Sequence, residues 1–214
     1  WAAVALAVVV AGVCGALSGY FVAYCGVQPM VVTLGGSFLF TGVALLVSNL
    51  SATESYKGIS GFPDSFLQIS KFKLFGVIPC QVIIFLVLAV IAYVLLNKTK
   101  YGRMVFLIGV NKDAAEFSGI NTRLITMTTY ILSGISAAIA GIILTSYIGT
   151  AKSDIGVTFT LPIITAVVLG GTLSTGGKGS VVGTALAAVV IGVLKFGLPL
   201  CFKVPQQYLD IPVG

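Results

Sequence analysis

Five long stretches of this chain are apolar: Trp1–Tyr24, Val31–Val47, Gly76–Leu96, Leu124–Tyr147 and Val181–Leu200. Only the last contains a charged residue, Lys195. A helix rising ~1.5 Å per residue needs roughly 20 apolar residues to cross the hydrocarbon core of a bilayer. Each stretch is close to that length. Hydrophobic residues make up 57% of the 214 residues and charged residues 8%. The mean hydropathy is +1.10. A water-soluble domain carries charge on about a quarter of its residues, so this class is excluded. A membrane β-barrel would show alternating segments of ~10 residues instead of continuous apolar runs. The expected fold class is an all-α polytopic membrane protein, a helical transmembrane bundle.

The polar segments divide the spans. Cys25–Met30 is a tight connection broken by Gly26 and Pro29. Residues 48–75 form a polar loop with Glu54, Lys57, Asp64, Lys71 and Lys73. Pro79 falls in the first turn of the third span, where its missing N–H costs little. Residues 97–123 form a charged island, and 148–160 a short polar loop with Lys152 and Asp154. Leu161–Thr172 is too short to cross alone. It either begins near Gly156 and just crosses, or is a broken helix lining protein or water. Leu173–Ser180 is a Gly-rich turn. Trp1–Val13 lacks the basic flank and the cleavage site of a signal peptide, and reads as a membrane span. The chain starts inside one apolar run and stops soon after another. It therefore reads as a single transmembrane domain, 1–214, taken from inside a longer protein.

Charge and side-chain chemistry narrow the function. The chain has no His, and its four cysteines (Cys14, Cys25, Cys80, Cys201) lack metal-ligand spacing, so no metal site is expected. They read as small buried hydrophobes. The net charge of +6 is dispersed, which suits a bilayer with anionic lipid and not nucleic acid. None of Glu54, Asp64, Asp113, Glu116, Asp154 or Asp210 lies deep in an apolar run. That argues against an ion-coupled secondary transporter, which remains the alternative alongside a membrane scaffold subunit. No catalytic constellation is visible, so no enzyme is expected. Gly176–Ser180 lacks the spacing of a phosphate-binding loop. Basic residues Lys98, Lys100 and Arg103 sit together at the end of a span and tilt residues 97–123 toward the cytoplasm, with 48–75 as an extracytoplasmic loop.

Tyr101–Ile120 is the most informative polar run. It carries charge, an Ala114-Ala115 pair and Gly119, which suits the end of a short helix. A membrane protein that keeps such a segment in water offers it to a soluble partner. There is also an internal echo: Val32-Thr33-Leu34-Gly35-Gly36-Ser37 matches Val167-Val168-Leu169-Gly170-Gly171-Thr172, and Gly42 matches Gly177 at the same offset. It reads either as a structural repeat or as small-residue packing.

The Tyr-Gly-Arg, Ile-Gly-Val-Asn, Ala-Ala and Ser-Gly-Ile elements of Tyr101–Ile120 resemble the cytoplasmic loop of bacterial sugar-type (ribose and galactose class) ABC importer permeases. Tyr130–Gly134, Ala140–Leu144, Ala166–Gly171 and Gly176–Thr184 continue the likeness. Gln28–Gly35, Gly58–Pro63 and Ser146–Gly156 resemble the permease subunits of autoinducer-2 import systems within that class. The resemblance covers nearly the whole chain. Against the class, the upstream and final spans are absent, Gly156–Leu161 lacks the usual acidic residue, and Lys195 replaces an amide.

The resemblance implies a permease in the bacterial inner membrane that moves a small sugar-like solute. It implies a separate cytoplasmic ATPase subunit that uses the ATP, so no cofactor is expected in this chain. It also implies a second permease chain, identical or related, and an extracytoplasmic solute-binding protein. Asp113–Gly119 would be the coupling helix, with Asn111, Lys112, Asp113, Ala114, Ala115, Glu116, Ser118 and Gly119 meeting the ATPase. A sugar-like ligand needs hydroxyl partners, so Thr33, Ser37, Thr41, Ser133, Ser136, Thr165 and Thr172 are candidates for the path. Each could equally bond its own helical turn. Lys195, a charge inside a span, is either functional or snorkels to the interface. Lys152 and Asp154 are candidates for docking the binding protein.

Overall fold

The computed structural model describes residues 1–49, 58–71, 73–74, 78–153 and 155–202. Glu54, Lys57, Asp154 and Asp210 lie outside them. In chain order the helices are α1 (Ala2–Ala23), α2 (Pro29–Asn49), α3 (Asp64–Lys71), α4 (Cys80–Asn97), α5 (Lys100–Val110), α6 (Lys112–Phe117), α7 (Thr122–Ile148), α8 (Thr160–Leu169) and α9 (Val181–Phe202). Strands β1 (Lys73–Leu74) and β2 (Ile78–Pro79) pair antiparallel ahead of α4. Pro79 thus sits in β2, opposite Lys73, and not inside the span's first turn. Ala2–Ala23, Pro29–Ser48, Cys80–Asn97 and Thr122–Ile148 are long and apolar enough to cross a membrane.

The chain forms two compact units: Trp1–Phe85 with Asn121–Ile155, and Leu86–Ile120 with Gly156–Gly214. The first is built on α1 against α7. Ala11, Gly15 and Gly19 recur every fourth residue on α1, as close helix packing in a membrane requires. A Cβ added to Gly15 would lie 2.5 Å from Tyr130 O, and one on Gly134 2.5 Å from Ala11 O. The backbones therefore touch with no side chain between them. The described buried apolar residues are mostly small (Ala23, Ala115, Ala166 and Ala187 beside Ile125 and Ile191), while Leu34 and Phe38 are 63% and 78% exposed. Lipid solvates such outward faces as well as a protein core would.

Residues 58–71, in the polar loop before α4, are tied down by long-range hydrogen bonds. Ile59 and Ala151 exchange both backbone hydrogen bonds, Ile59 N–H to Ala151 O at 3.0 Å and Ala151 N–H to Ile59 O at 2.9 Å. The Ser146 hydroxyl, 3% exposed, donates to Phe66 O at 2.8 Å and ties α3 to α7. Ser146→Ala should leave that carbonyl without its donor and loosen α3 by about 1 kcal/mol. Limited proteolysis within Asp64–Lys71 should be several-fold faster in the variant; equal rates would show that the bond does not hold α3.

In the second unit, α8 and the 3-10 turn Val157–Phe159 before it together rise only about 21 Å, short of the ~30 Å core. Starting near Gly156 is thus not enough to make α8 a full span. A turn reverses the chain into α9, whose N-cap is Ser180: its hydroxyl accepts from Gly183 N–H at 3.1 Å. The echo of Val32–Ser37 in Val167–Thr172 is one of sequence only. The first copy is interior to α2, whereas the second ends α8 and turns at Gly171, φ +87°.

Candidate functional site: a capped surface helix and the turn behind it

The charged island contains two helices where one was expected. Thr99 caps α5 by accepting from Gly102 N–H at 3.3 Å. Asn111 then ends α5 and starts α6: its N–H donates to Leu107 O at 3.1 Å, and its Oδ1 accepts from Ala114 N–H at 3.0 Å. So α6 begins at Lys112 and ends at Phe117, slightly earlier than the expected Asp113–Gly119. Its end is a Schellman motif. Gly119 N–H donates to Glu116 O at 3.0 Å and Ile120 N–H to Ala115 O at 3.1 Å, with Gly119 left-handed at φ +79°. The Ser118 hydroxyl also donates to Ala114 O at 2.9 Å. Asp113 in the first turn suits the positive end of the helix.

Caps at both ends hold a helix far too short to persist alone. Gly119→Leu should therefore cost about 1–2 kcal/mol of local order, because a side chain in the left-handed region meets its own carbonyl. Amide exchange at Ala115–Ile120 should speed up by roughly tenfold, while exchange in α7 stays unchanged. Unchanged exchange at Ile120 would refute the cap.

The face that α6 offers differs from the one expected. Lys112, Asp113, Ala114 and Glu116 are exposed, but Ala115 is 4% exposed and turned into the protein. The Ala-Ala pair therefore does not form one contact face. Successive helical residues point about 100° apart, which separates the two methyls. Phe117, which sequence reasoning passed over, is 93% exposed. Its signal was available as the one aromatic among Lys112–Ser118.

Most of the proposed path hydroxyls bond within their own helices. Thr33, Ser37 and Thr41 form one stripe on α2, spaced four residues apart, and each bonds its own helix: Thr33 Oγ1 to Pro29 O at 3.0 Å, Ser37 Oγ to Leu34 O at 2.7 Å and Thr41 Oγ1 to Ser37 O at 2.7 Å. Ser136 and Thr165 do the same, to Leu132 O and Leu161 O, each at 2.9 Å. Ser133 is exposed on α7. In the second unit, Thr172 Oγ1 lies 3.5 Å from Thr184 Oγ1.

Lys195 has a structural occupation. Its Nζ donates to Thr158 O at 3.1 Å and lies 5.4 Å from the centre of the Phe159 ring. Pro162 has no N–H to give Thr158 O in an α turn, so the ammonium supplies a donor that the chain lacks. Lys152 is exposed beside the Ile59–Ala151 bridge, with its Cγ 2.7 Å from where a Cβ of Gly58 would be. Its proposed companion Asp154 lies outside the described residues.

A family model described as "Branched-chain amino acid transport system / permease component" matches residues 1–210. The chain is 42% identical over 213 residues to the autoinducer 2 import system permease protein LsrD of Photorhabdus luminescens, covering 100% of this chain and 63% of that protein. It is 42% identical over 198 residues to LsrD of Yersinia pseudotuberculosis serotype O:3, strain YPIII (92% and 59%). It is 41% identical over 205 residues to LsrD of Salmonella paratyphi B (96% and 61%). The chain thus spans less than two thirds of the length of these relatives. No solved structure matches it. With nearly every residue under the family model and, among the described residues, four helices able to cross a bilayer, this multi-pass membrane protein belongs to the branched-chain amino acid transport system permease family.

Proposed function

We propose that this chain is the permease of an ATP-driven importer in the bacterial inner membrane, coupled to a separate ATPase subunit through residues 111–120. The observation that carries the reading is α6: a polar six-residue helix capped at both ends, with Phe117 93% exposed on it. A preformed helix with a protruding ring loses little order on binding, and a buried aromatic anchor supplies much of an interface's energy. Lys112, Asp113 and Glu116 would face charges at the rim of the partner's groove.

The solute we propose is small and sugar-like, of the autoinducer-2 class. The relatives' names support this choice over the amino acids in the family's description. A second permease chain, identical or related, would complete the pathway, and an extracytoplasmic binding protein would deliver the solute. Once 97–123 is placed in the cytoplasm, α7 carries the chain across. The surface made by Gly58–Ile59, α3 and Gly149–Lys152 then faces outward and is where that binding protein would dock. ATP acts on the partner, and this chain needs no cofactor of its own.

A secondary transporter would need carboxylates within its spans. The four spanning helices described contain no Asp or Glu, which favours the ATP-driven reading over that alternative, whereas a scaffold would leave the capped helix α6 without a role.

The test is co-purification of the full-length protein from native membranes in mild detergent, with every associated chain identified. An ATPase subunit in the complex supports the reading. A second permease chain in the same complex favours a heteromeric importer. Absence of any ATPase across mild detergents that keep the permease folded would refute it.

A further inference from the structure

The Gly-rich turn between α8 and α9 meets the last turn of α5 backbone to backbone. A Cβ on Gly109 would overlap Gly177 N and stand 3.0 Å from Gly177 Cα. From the other side, a Cβ on Gly176 would lie 3.1 Å from Gly109 O, and one on Gly177 3.1 Å from Val110 N. Gly176 and Gly177 have φ of +88° and +80°, so the turn that makes this approach is itself open to glycine. No side chain lies between the two backbones, so no rotamer change can absorb a displacement.

The contact immediately precedes α6 in the chain. Asn111, two residues after Gly109, closes α5 with its backbone and opens α6 with its side chain. The two helices therefore follow each other with no flexible linker. On the far side, α8 and α9 are locked together. A Cβ on Gly170 would overlap Thr184 Cα, and Lys195 of α9 holds Thr158 O in the 3-10 turn that leads into α8.

We propose that Gly109, Gly176 and Gly177 form a permanent mechanical joint. Through it, displacement of α6 moves the half-length helix α8 and its partner α9 as one piece. The three glycines are positioning residues for transport and touch neither solute nor ATPase. This inference rests on the reading of α6 as the ATPase-docking element, and it adds which part of the membrane domain that element drives.

The joint can be tested in the complete importer, with its ATPase subunit, in proteoliposomes. Gly109→Ala forces the two backbones apart by about 1 Å. The complex should still assemble and hydrolyse ATP at its basal rate, while uptake falls roughly tenfold or more. A merely structural defect would lower assembly, hydrolysis and uptake together. Normal uptake in Gly109→Ala overturns the joint. So does an equal uptake loss in Gly192→Ala, where a Cβ on α9 meets nothing within 4 Å.

A second arm applies even if Gly109→Ala fails to assemble. Val110 and Lys178 are exposed neighbours of the contact. Val110→Cys with Lys178→Cys, in a background lacking the native cysteines, can be bridged by a short bis-methanethiosulfonate tether. A joint that stays closed through the cycle tolerates the tether, and uptake is retained. Uptake lost on tethering and restored by reductant shows that the contact must open, and overturns the proposal. Unmodified importer without ATP-dependent uptake overturns the coupling reading and the joint with it. Normal ATP-dependent uptake in the unmodified importer and in Gly109→Ala overturns the joint alone.

Discussion

Gly183→Leu should leave little or no correctly folded permease in the membrane. A Cβ at Gly183 would overlap Gly170 O and stand 3.1 Å from Gly170 C, and both atoms are backbone. Nothing there can rotate aside. Overpacking a well-packed contact costs about 1–3 kcal/mol when side chains can adjust, and more when only backbone can move. Membrane helix pairs have little hydrophobic drive to offset this, because lipid solvates the separated faces equally well. The separated state therefore wins. The measurement is the amount of monodisperse protein extracted from membranes, compared with Gly192→Leu on the open face of the same helix. Equal yields of the two variants would show that α8 and α9 do not depend on that crossing.

Phe117→Ala should weaken binding of the ATPase subunit by about 2 kcal/mol, or roughly 30-fold in Kd. The permease itself should be unaffected. A ring that is 93% exposed supports nothing in its own chain, so yield and thermal stability should match wild type. Phe117→Trp should retain most of the affinity, since a larger aromatic can still fill an apolar groove. Titration of the solubilised permease with purified ATPase subunit would read the constants. Unchanged affinity in Phe117→Ala would remove the ring from the interface. Ala115→Trp is a poor probe of the same idea. Ala115 is 4% exposed, so a tryptophan there disrupts the permease before it reaches any partner.

Membrane-spanning helices were the most legible part of this chain. Their signal is additive: α1, α2, α4 and α7 each carry enough apolar residues that their neighbours hardly matter. Helix ends set by local chemistry were legible too, as Gly119 closing α6 shows. Helices α3 and α5 were not, because their residues are mixed in polarity and tertiary contacts hold them. Ser146, 80 residues from Phe66 in sequence, secures α3 through one hydrogen bond.

The candidate site divides along the same line. Residues 111–120 stood out as a polar segment with helix-forming and helix-ending residues, and the structure places a capped helix there. Its outward face did not stand out, because which of Ala114, Ala115 and Phe117 points away depends on where the rest of the chain lies. Lys195 was legible as an anomaly, but its partner Thr158 O was not, since a missing N–H at Pro162 has meaning only once α9 runs beside α8.

Composition and run length by themselves determined that this is a helical membrane protein, how its spans follow one another, and where its one informative polar helix lies. These properties follow from free energies summed over single residues, each transferred to lipid or left in water. Only the tertiary structure decided which glycines are contact points. Gly35, Gly42 and Gly192 face open space, whereas Gly109, Gly170 and Gly183 touch another backbone. All six are the same residue in similar apolar surroundings. What separates them is the position of a second segment, and that is a property of pairs.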